Sequence, residues 1–385
     1  MPLQWDSPFL GGRGADPGGQ PCFRHRFCRS QRLFLPNKEC FHGYSAGHEN
    51  VPRPLLSQRR LSVSPRCVVS AQEPPALSST DRIRLAEAFR LADQLEDRIW
   101  KGWSRAPFAV LLVTPQTEFL LRHPHPTADF TALGYDPLLK SNVYYRKRVF
   151  PTAVLATFPA VDGVPTIVAG QAESTTSKTS TPWVVTLLHE HFHQWQDSQP
   201  GYYAGVKALG LAHGDETGMW MLNYAFPYDS PEVEARFTEM SHALLAALQA
   251  EKTSQFADRV SAFQEARRQF EDSLAPDDRK YLSFQLWQEG VARYTEVRFA
   301  HLAVTRARPS RAFQALPDYT SFEKVADDWQ RTILADLANM DLKKERRLVV
   351  YSLGAAEALL LDRSAPGWQR HYFSEPFQLD SYFPH

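Results

Sequence analysis

Apolar residues recur every three or four positions along most of this chain, with a stretch of shorter, strand-like runs near its middle. Leu85, Phe89, Ala92, Leu95 and Ile99 form a stripe that predicts an amphipathic helix over 80–102, with Ser79 or Thr80 as its cap. Runs at Phe108–Thr114, Glu118–Arg122, Val143–Val149, Ala153–Phe158 and Val164–Ala169 read as strands. Between the last two, Asp162-Gly163 is a hairpin turn signal. The run TPWVVTLLHEHFHQWQ then predicts a helix, with Ser180 or Thr181 as N-cap, Pro182 at its first helical position, and Val184, Val185, Leu188, Phe192 and Trp195 buried. Ser230 opens another helix over Pro231–Glu251, and Phe256, Val260, Phe263, Ala266, Phe270 and Leu274 mark the next. Three more are expected over 277–303, 321–339 and 343–363, with Pro366 ending the last. The fold class this implies is α+β: a small mixed sheet, the helix carrying the histidines, and a mainly helical C-terminal half.

Residues 1–75 lack this periodicity. They are rich in Gly, Pro, Arg and Ser, and are expected to be disordered, a targeting segment, or the product of a misassigned start. Val69-Ser70-Ala71 looks like a signal-peptidase site but has no apolar segment before it. One folded domain is expected over 76–385, with a sheet-containing half at 76–200 and a helical half at 201–385. The 43 basic and 43 acidic residues balance overall, but the N-terminal stretch is basic and the remainder acidic, which argues against a nucleic-acid partner. No apolar run approaches the ~18 residues that cross a bilayer, so a soluble protein is expected, its compartment left open between export and organelle targeting. Cys22, Cys28, Cys40 and Cys67 all lie in the N-terminal stretch, so the folded part uses neither disulfides nor thiol chemistry.

The chemistry concentrates in His189-Glu190-His191-Phe192-His193, an HExxH pattern within a helical context. Two histidines four apart share one helix face and suit one tetrahedral metal ion, while Glu190 is placed as general base on a metal-activated water. His191 points away from that face. A catalytic site of this kind needs a third protein ligand and one open position. Glu289, Glu216, Asp215 and His213 are the candidates, and the small residues Gly290 and Ala292 would let the Glu289 helix approach the histidine helix closely. Arg293 could meet a substrate carboxylate or pair with Glu289 or Glu296, the latter read as an ordinary helix-surface glutamate. The loop Trp220–Tyr228 could line a peptide pocket, and Val164–Ala169 could pair with an extended substrate as an edge strand.

Three segments resemble a known family. HEHFHQW looks like the HExxHxW of gluzincin aminopeptidases, whose catalytic domain is thermolysin-like; LWQEGVA, from Leu286 to Ala292, resembles their segment around the glutamate ligand; Tyr351-Ser352-Leu353-Gly354-Ala355 resembles their Y-x-x-G-A. The resemblance implies that His189, His193 and Glu289 bind Zn2+, that Glu190 is the base, and that Tyr351 stabilises the oxyanion, a role open otherwise to His213 or Tyr228. It implies a metallopeptidase acting on a peptide or protein substrate. The long stretch between His193 and Glu289, with a helical insertion over 212–276, departs from that family's spacing. The alternative is a non-catalytic metal-binding or helical interaction protein that keeps the fold.

Overall fold

Helix α1 (Ser79–Ile99) opens the folded chain in the structure, a computed structural model that describes residues 73–384; the expectation of a disordered or targeting segment over 1–75, all but its last three residues, and the four cysteines lie outside the described residues. Its cap is Ser78, one residue before the expected position, because the Ser78 hydroxyl accepts the Asp81 amide proton at 3.0 Å. A mixed sheet of six strands follows: β1 (Val110–Val113), β2 (Thr117–Leu121), β3 (Thr131–Asp136), β4 (Ser141–Lys147), β5 (Leu155–Val161) and β6 (Val164–Gly170). The order across the sheet is β3-β4-β2-β1-β6-β5, with only β1 and β6 parallel. β3 has no counterpart among the expected strands. It is an exposed edge strand with a bulge between Ala132 and Gly134, so no apolar alternation marks it.

The central strands are buried on both faces. Val110, Leu112, Phe119, Leu121, Ile167 and Ala169 turn toward α1 and α2 (Ser180–Asp197), while Leu111, Val113, Leu120 and Val168 close a smaller cluster with Phe130 and Val161. Asp162 and Gly163 both have positive φ, 47° and 71°, as a two-residue hairpin between β5 and β6 requires. That hairpin overturns one expectation. β6 is paired on both sides, by β1 and β5, so Val164–Ala169 cannot be an edge; the free edge beside α2 is β5.

The helical half comprises α3 (Pro231–Gln249), α4 (Phe256–Asp272), α5 (Pro276–Gln285), α6 (Val291–Arg306), α7 (Phe322–Asn339) and α8 (Val349–Ser364), with shorter turns between. The helix expected over 277–303 is divided by one π turn at Leu286–Gly290, which joins α5 to α6. The helix expected from 343 begins only at Val349, because Arg346 takes φ 50° and ψ −128°, a conformation that no helix continues through.

Two corrections concern how α2 is held. Ser180 and Thr181 are not its N-cap; Thr179 occupies that position without a side-chain bond. Asp318 replaces the cap, accepting from the Ser180 amide at 2.9 Å and its hydroxyl at 2.6 Å, where a carboxylate also suits the positive end of the helix dipole. Thr181 donates to the Thr320 carbonyl at 2.6 Å. Gly290, in turn, does not face α2. A Cβ added to it would lie 2.5 Å from the Gly354 Cα, and one added to Gly354 would lie 2.7 Å from the Gly290 Cα, so the π turn and α8 touch backbone to backbone. Gly290→Ala is therefore expected to destabilise the fold by about 1–3 kcal/mol, read as a lowered urea midpoint; an unchanged midpoint would mean that the two backbones are not in contact.

Candidate metal centre

Helical spacing brings the Nε2 atoms of His189 and His193 to 3.0 Å from each other on one face of α2. Glu289, carried by the π turn, turns its Oε2 toward both, 3.4 Å from His193 Nε2 and 3.7 Å from His189 Nε2. These three atoms lie within 4.8 Å of one another, and form the one such group of three or more found among the described residues. Ligand atoms placed ~2.0–2.1 Å from a tetrahedral ion sit roughly 3.3–3.4 Å apart, and the observed separations straddle that value. Two imidazole nitrogens and a carboxylate oxygen also form a donor set suited to a divalent transition metal. The residues fit a metal ion without rearrangement.

The positions around the ligands are equally specific. His193 Nδ1 lies 2.6 Å from Gln196 Oε1, an acceptor only, so that nitrogen carries the proton and Nε2 is left to face the metal position. Gln196 is itself held through its amide nitrogen, which donates to Tyr372 Oη at 2.7 Å and to the Gln288 carbonyl at 3.2 Å. His189 Nδ1 faces Glu296 Oε1 at 2.8 Å, although the contact lies off the ring's donor direction and leaves this nitrogen without a well-directed hydrogen bond. Glu296 is no surface residue: it is 1% exposed and pairs with Arg293. Arg293 is buried too, its guanidinium 3.9 Å from the Trp329 ring centre and 5.5 Å from that of Tyr351. Of the partners open to Arg293, the structure gives it Glu296.

Charge in this enclosure shifts the three groups that face one another. Burial alone would lower the His189 imidazole, but the Glu296 and Glu289 carboxylates outweigh it and lift its pKa to about 9. His193 is raised as well, against burial, by Glu289. Burial would raise the Glu289 carboxyl, yet the two imidazoles and Arg347 hold it well below the usual range.

Glu190 is buried beside the two histidines, where Thr157 of β5 donates its hydroxyl to Oε2 at 2.8 Å. That leaves Oε1 without a protein partner among the described residues. Tyr351, on α8, lays its ring 6.2 Å from that of His189. Both terminal nitrogens of Arg347 approach the Tyr351 oxygen at 3.4 Å, and Arg347 Nη1 is also 3.5 Å from Glu289 Oε1. His191 faces the opposite way, stacked 4.1 Å from Phe108 and bonded to Glu96 at 3.1 Å.

The remaining candidates stand outside the ligand group, although Tyr228 lies close enough to Arg347 to feel its charge. The 213–216 quartet adds no residue to the histidine group. His213 has positive φ, and the Asp215 carboxylate is spent on its own loop, accepting from the Thr217 and Trp220 amides at 2.7 Å. Tyr228 is buried against Phe226 at 4.9 Å and covered by Arg346 at 4.7 Å. The aromatic loop packs on α5, with Tyr224 stacked 4.3 Å from Tyr281 and Trp220 5.5 Å from Phe284. Three residues at the centre were not singled out from sequence: Thr157, Gln196 and Arg347. Only Arg347 left a signal, a cation one helical turn before Tyr351.

No protein-family model, curated protein or solved structure matches this chain. The site stands on its geometry.

Two outcomes follow. Because the metal-free group holds a proton up to about pH 9 on His189, zinc must displace it, so zinc affinity should rise with pH toward that value, with proton release at neutral pH in calorimetry. An affinity flat across that range would count against the raised imidazole. Glu296→Gln keeps the shape but removes the charge facing His189, and should weaken zinc binding about 10–100-fold in chelator competition.

Proposed function

We propose that this protein is a zinc-dependent hydrolase, a metallopeptidase of the gluzincin type. The observation that carries the reading is the convergence of His189, His193 and Glu289 beside Glu190, from two distant parts of the chain. Two imidazoles and one carboxylate favour zinc, and three protein ligands match a catalytic centre, since a structural site fills its fourth position with protein. Zn2+ held there supplies Lewis acidity, polarising a carbonyl and making water nucleophilic at neutral pH.

The chain's own residues account for the rest. Glu190 takes the proton of the attacking water on Oε1 and passes it to the leaving amine. The Thr157 hydroxyl fixes Oε2 and so keeps Oε1 turned outward. Tyr351 donates its hydroxyl proton to the developing oxyanion. Burial and the nearby Glu289 raise the Tyr351 pKa, so the phenol stays protonated and able to donate. Arg347 meets the oxygen of that phenol and not its proton, which leaves the donor free.

The edge strand β5 suits an extended peptide. Gly170 N donates to the Val154 carbonyl at 2.7 Å and Ile167 N to the Ala109 carbonyl of the β1 side at 3.0 Å. By alternation, the backbone groups of Leu155 and Thr157 face outward, with those of Thr157 beside the general base. Pro159, the next outward position, has no N–H and ends the row of donors.

With zinc bound, the protein is expected to cleave a mixed peptide pool. Glu190→Gln should keep its zinc and lose about 10²–10⁴ in kcat; a variant that keeps both zinc and activity would refute this mechanism. Tyr351→Phe should cost roughly 10²–10³ in kcat with little change in KM.

A further inference from the structure

Arg347 is an arginine whose charge the fold does not match closely. Among the described residues three arginines are buried, and each has a carboxylate close by: Arg84 meets Glu173 at 2.8 Å, Arg267 meets Glu357 at 2.9 Å, and Arg293 pairs with Glu296. Arg347, its side chain 14% exposed, has nothing nearer than 3.4 Å. Its neighbours there are Gln285 Oε1 at 3.4 Å, the Tyr351 oxygen at 3.4 Å and Glu289 Oε1 at 3.5 Å. A guanidinium carries five donors in a planar fork and favours two short parallel bonds to one anion. Here the fork is turned into the site with those bonds unmade.

Its single anionic neighbour is also spoken for. Glu289 faces the histidines through Oε2, and a divalent cation on that group would draw on the carboxylate's charge. Arg347 would then be left with two neutral partners, a phenol and an amide. The nearby Lys344 has an acid of its own, meeting Asp341 at 3.2 Å. The preceding residue, Arg346, sits at φ 50° and ψ −128°, a conformation usually left to glycine, and it is this kink that sets the start of α8 and the direction in which Arg347 leaves it.

We propose that Arg347 is the anchor for a carboxylate on the substrate, next to the bond being cleaved. This rests on the metallopeptidase reading and narrows it to peptides bearing a carboxylate at that place, either the chain's C-terminus or an Asp or Glu side chain. The fork closes on the two carboxylate oxygens, replacing the long contacts to Tyr351 and Gln285 with two short ones, and fixes the scissile carbonyl beside Tyr351 and Glu190.

The test is binding, measured by calorimetry on the zinc-loaded full-length protein with three small probes. Acetohydroxamate reports an open metal position alone. Succinate offers a second carboxylate to Arg347, and succinamate replaces that carboxylate with a neutral amide. Succinate should bind at least about tenfold tighter than succinamate. Arg347→Gln should abolish that difference, Arg347→Lys should restore part of it, and both should bind acetohydroxamate as wild type does, which shows that the fold and metal are intact. Equal binding of succinate and succinamate, with acetohydroxamate still bound, would overturn the anchor and leave the metallopeptidase reading standing. Failure of all three probes on a protein that holds zinc would remove the open metal position, and the anchor with it. The cleavage sites in a peptide mixture then name the source: cuts beside the C-terminus assign the terminal carboxylate, cuts beside Asp or Glu assign the side chain, and cuts with neither preference overturn the proposal.

Discussion

The contact between Gly290 and Gly354 is the constraint on which the rest of the centre depends. The π turn that carries Glu289 and the helix α8 that carries Tyr351, with Arg347 in the turn just before it, meet with no side chain between them. A methyl group at either position would push them apart, and glycine's cost in a helix is accepted for that reason. The π turn has its own part in this. It adds a residue within an otherwise regular helix, so Glu289 and Glu296 both reach α2 from one continuous element. Two carboxylates and a phenol are thus brought to the histidines, and a guanidinium to Glu289, by the same crossing.

Burying that many ionisable groups is tolerable because most of them face a counterpart, Arg347 only at long range. Glu296 stands between His189 and Arg293, and Glu289 between the two histidines and Arg347. Removing one member would leave its partner charged and dry, so the pairs hold the geometry by mutual need more than by net stabilisation. The network at the start of α2 follows the same logic. Arg84 joins Glu173 and Asp318, and Asp318 receives the first amide of the histidine helix. The helix is therefore tied at its N-terminus to one distant segment and at its metal face to another.

Much of this was legible in the chain, and the parts that were not share a cause. The α+β class, the hairpin at Asp162-Gly163 and three helices, expected over 231–251, from Phe256 to Leu274 and over 321–339 and found over 231–249, 256–272 and 322–339, followed from periodicity and capping, because local pattern decides them. Glu289 beside His189 and His193 was reached through motif and resemblance together. Glu296 was read as a surface glutamate because nothing local marks a carboxylate as buried; its exposure is set by α2 and by Arg293, which pattern along one helix does not show. The same holds for the edge strand, since strand order is a long-range property and β5 and β6 look alike in sequence. Gly290 was recognised as a close-approach residue but assigned to the wrong neighbour, for the same reason.

The central claim is that His189, His193 and Glu289 hold one metal ion. It is tested most directly by the metal content of the full-length protein after zinc loading and removal of free metal, for wild type and Glu289→Ala side by side. The four cysteines, all in the N-terminal stretch, should be alkylated beforehand so that they contribute no binding. The account predicts one zinc per chain in the wild type and its loss from a variant of unchanged secondary structure. A folded wild type that takes up no zinc, or a variant that retains it with equal affinity, would contradict it.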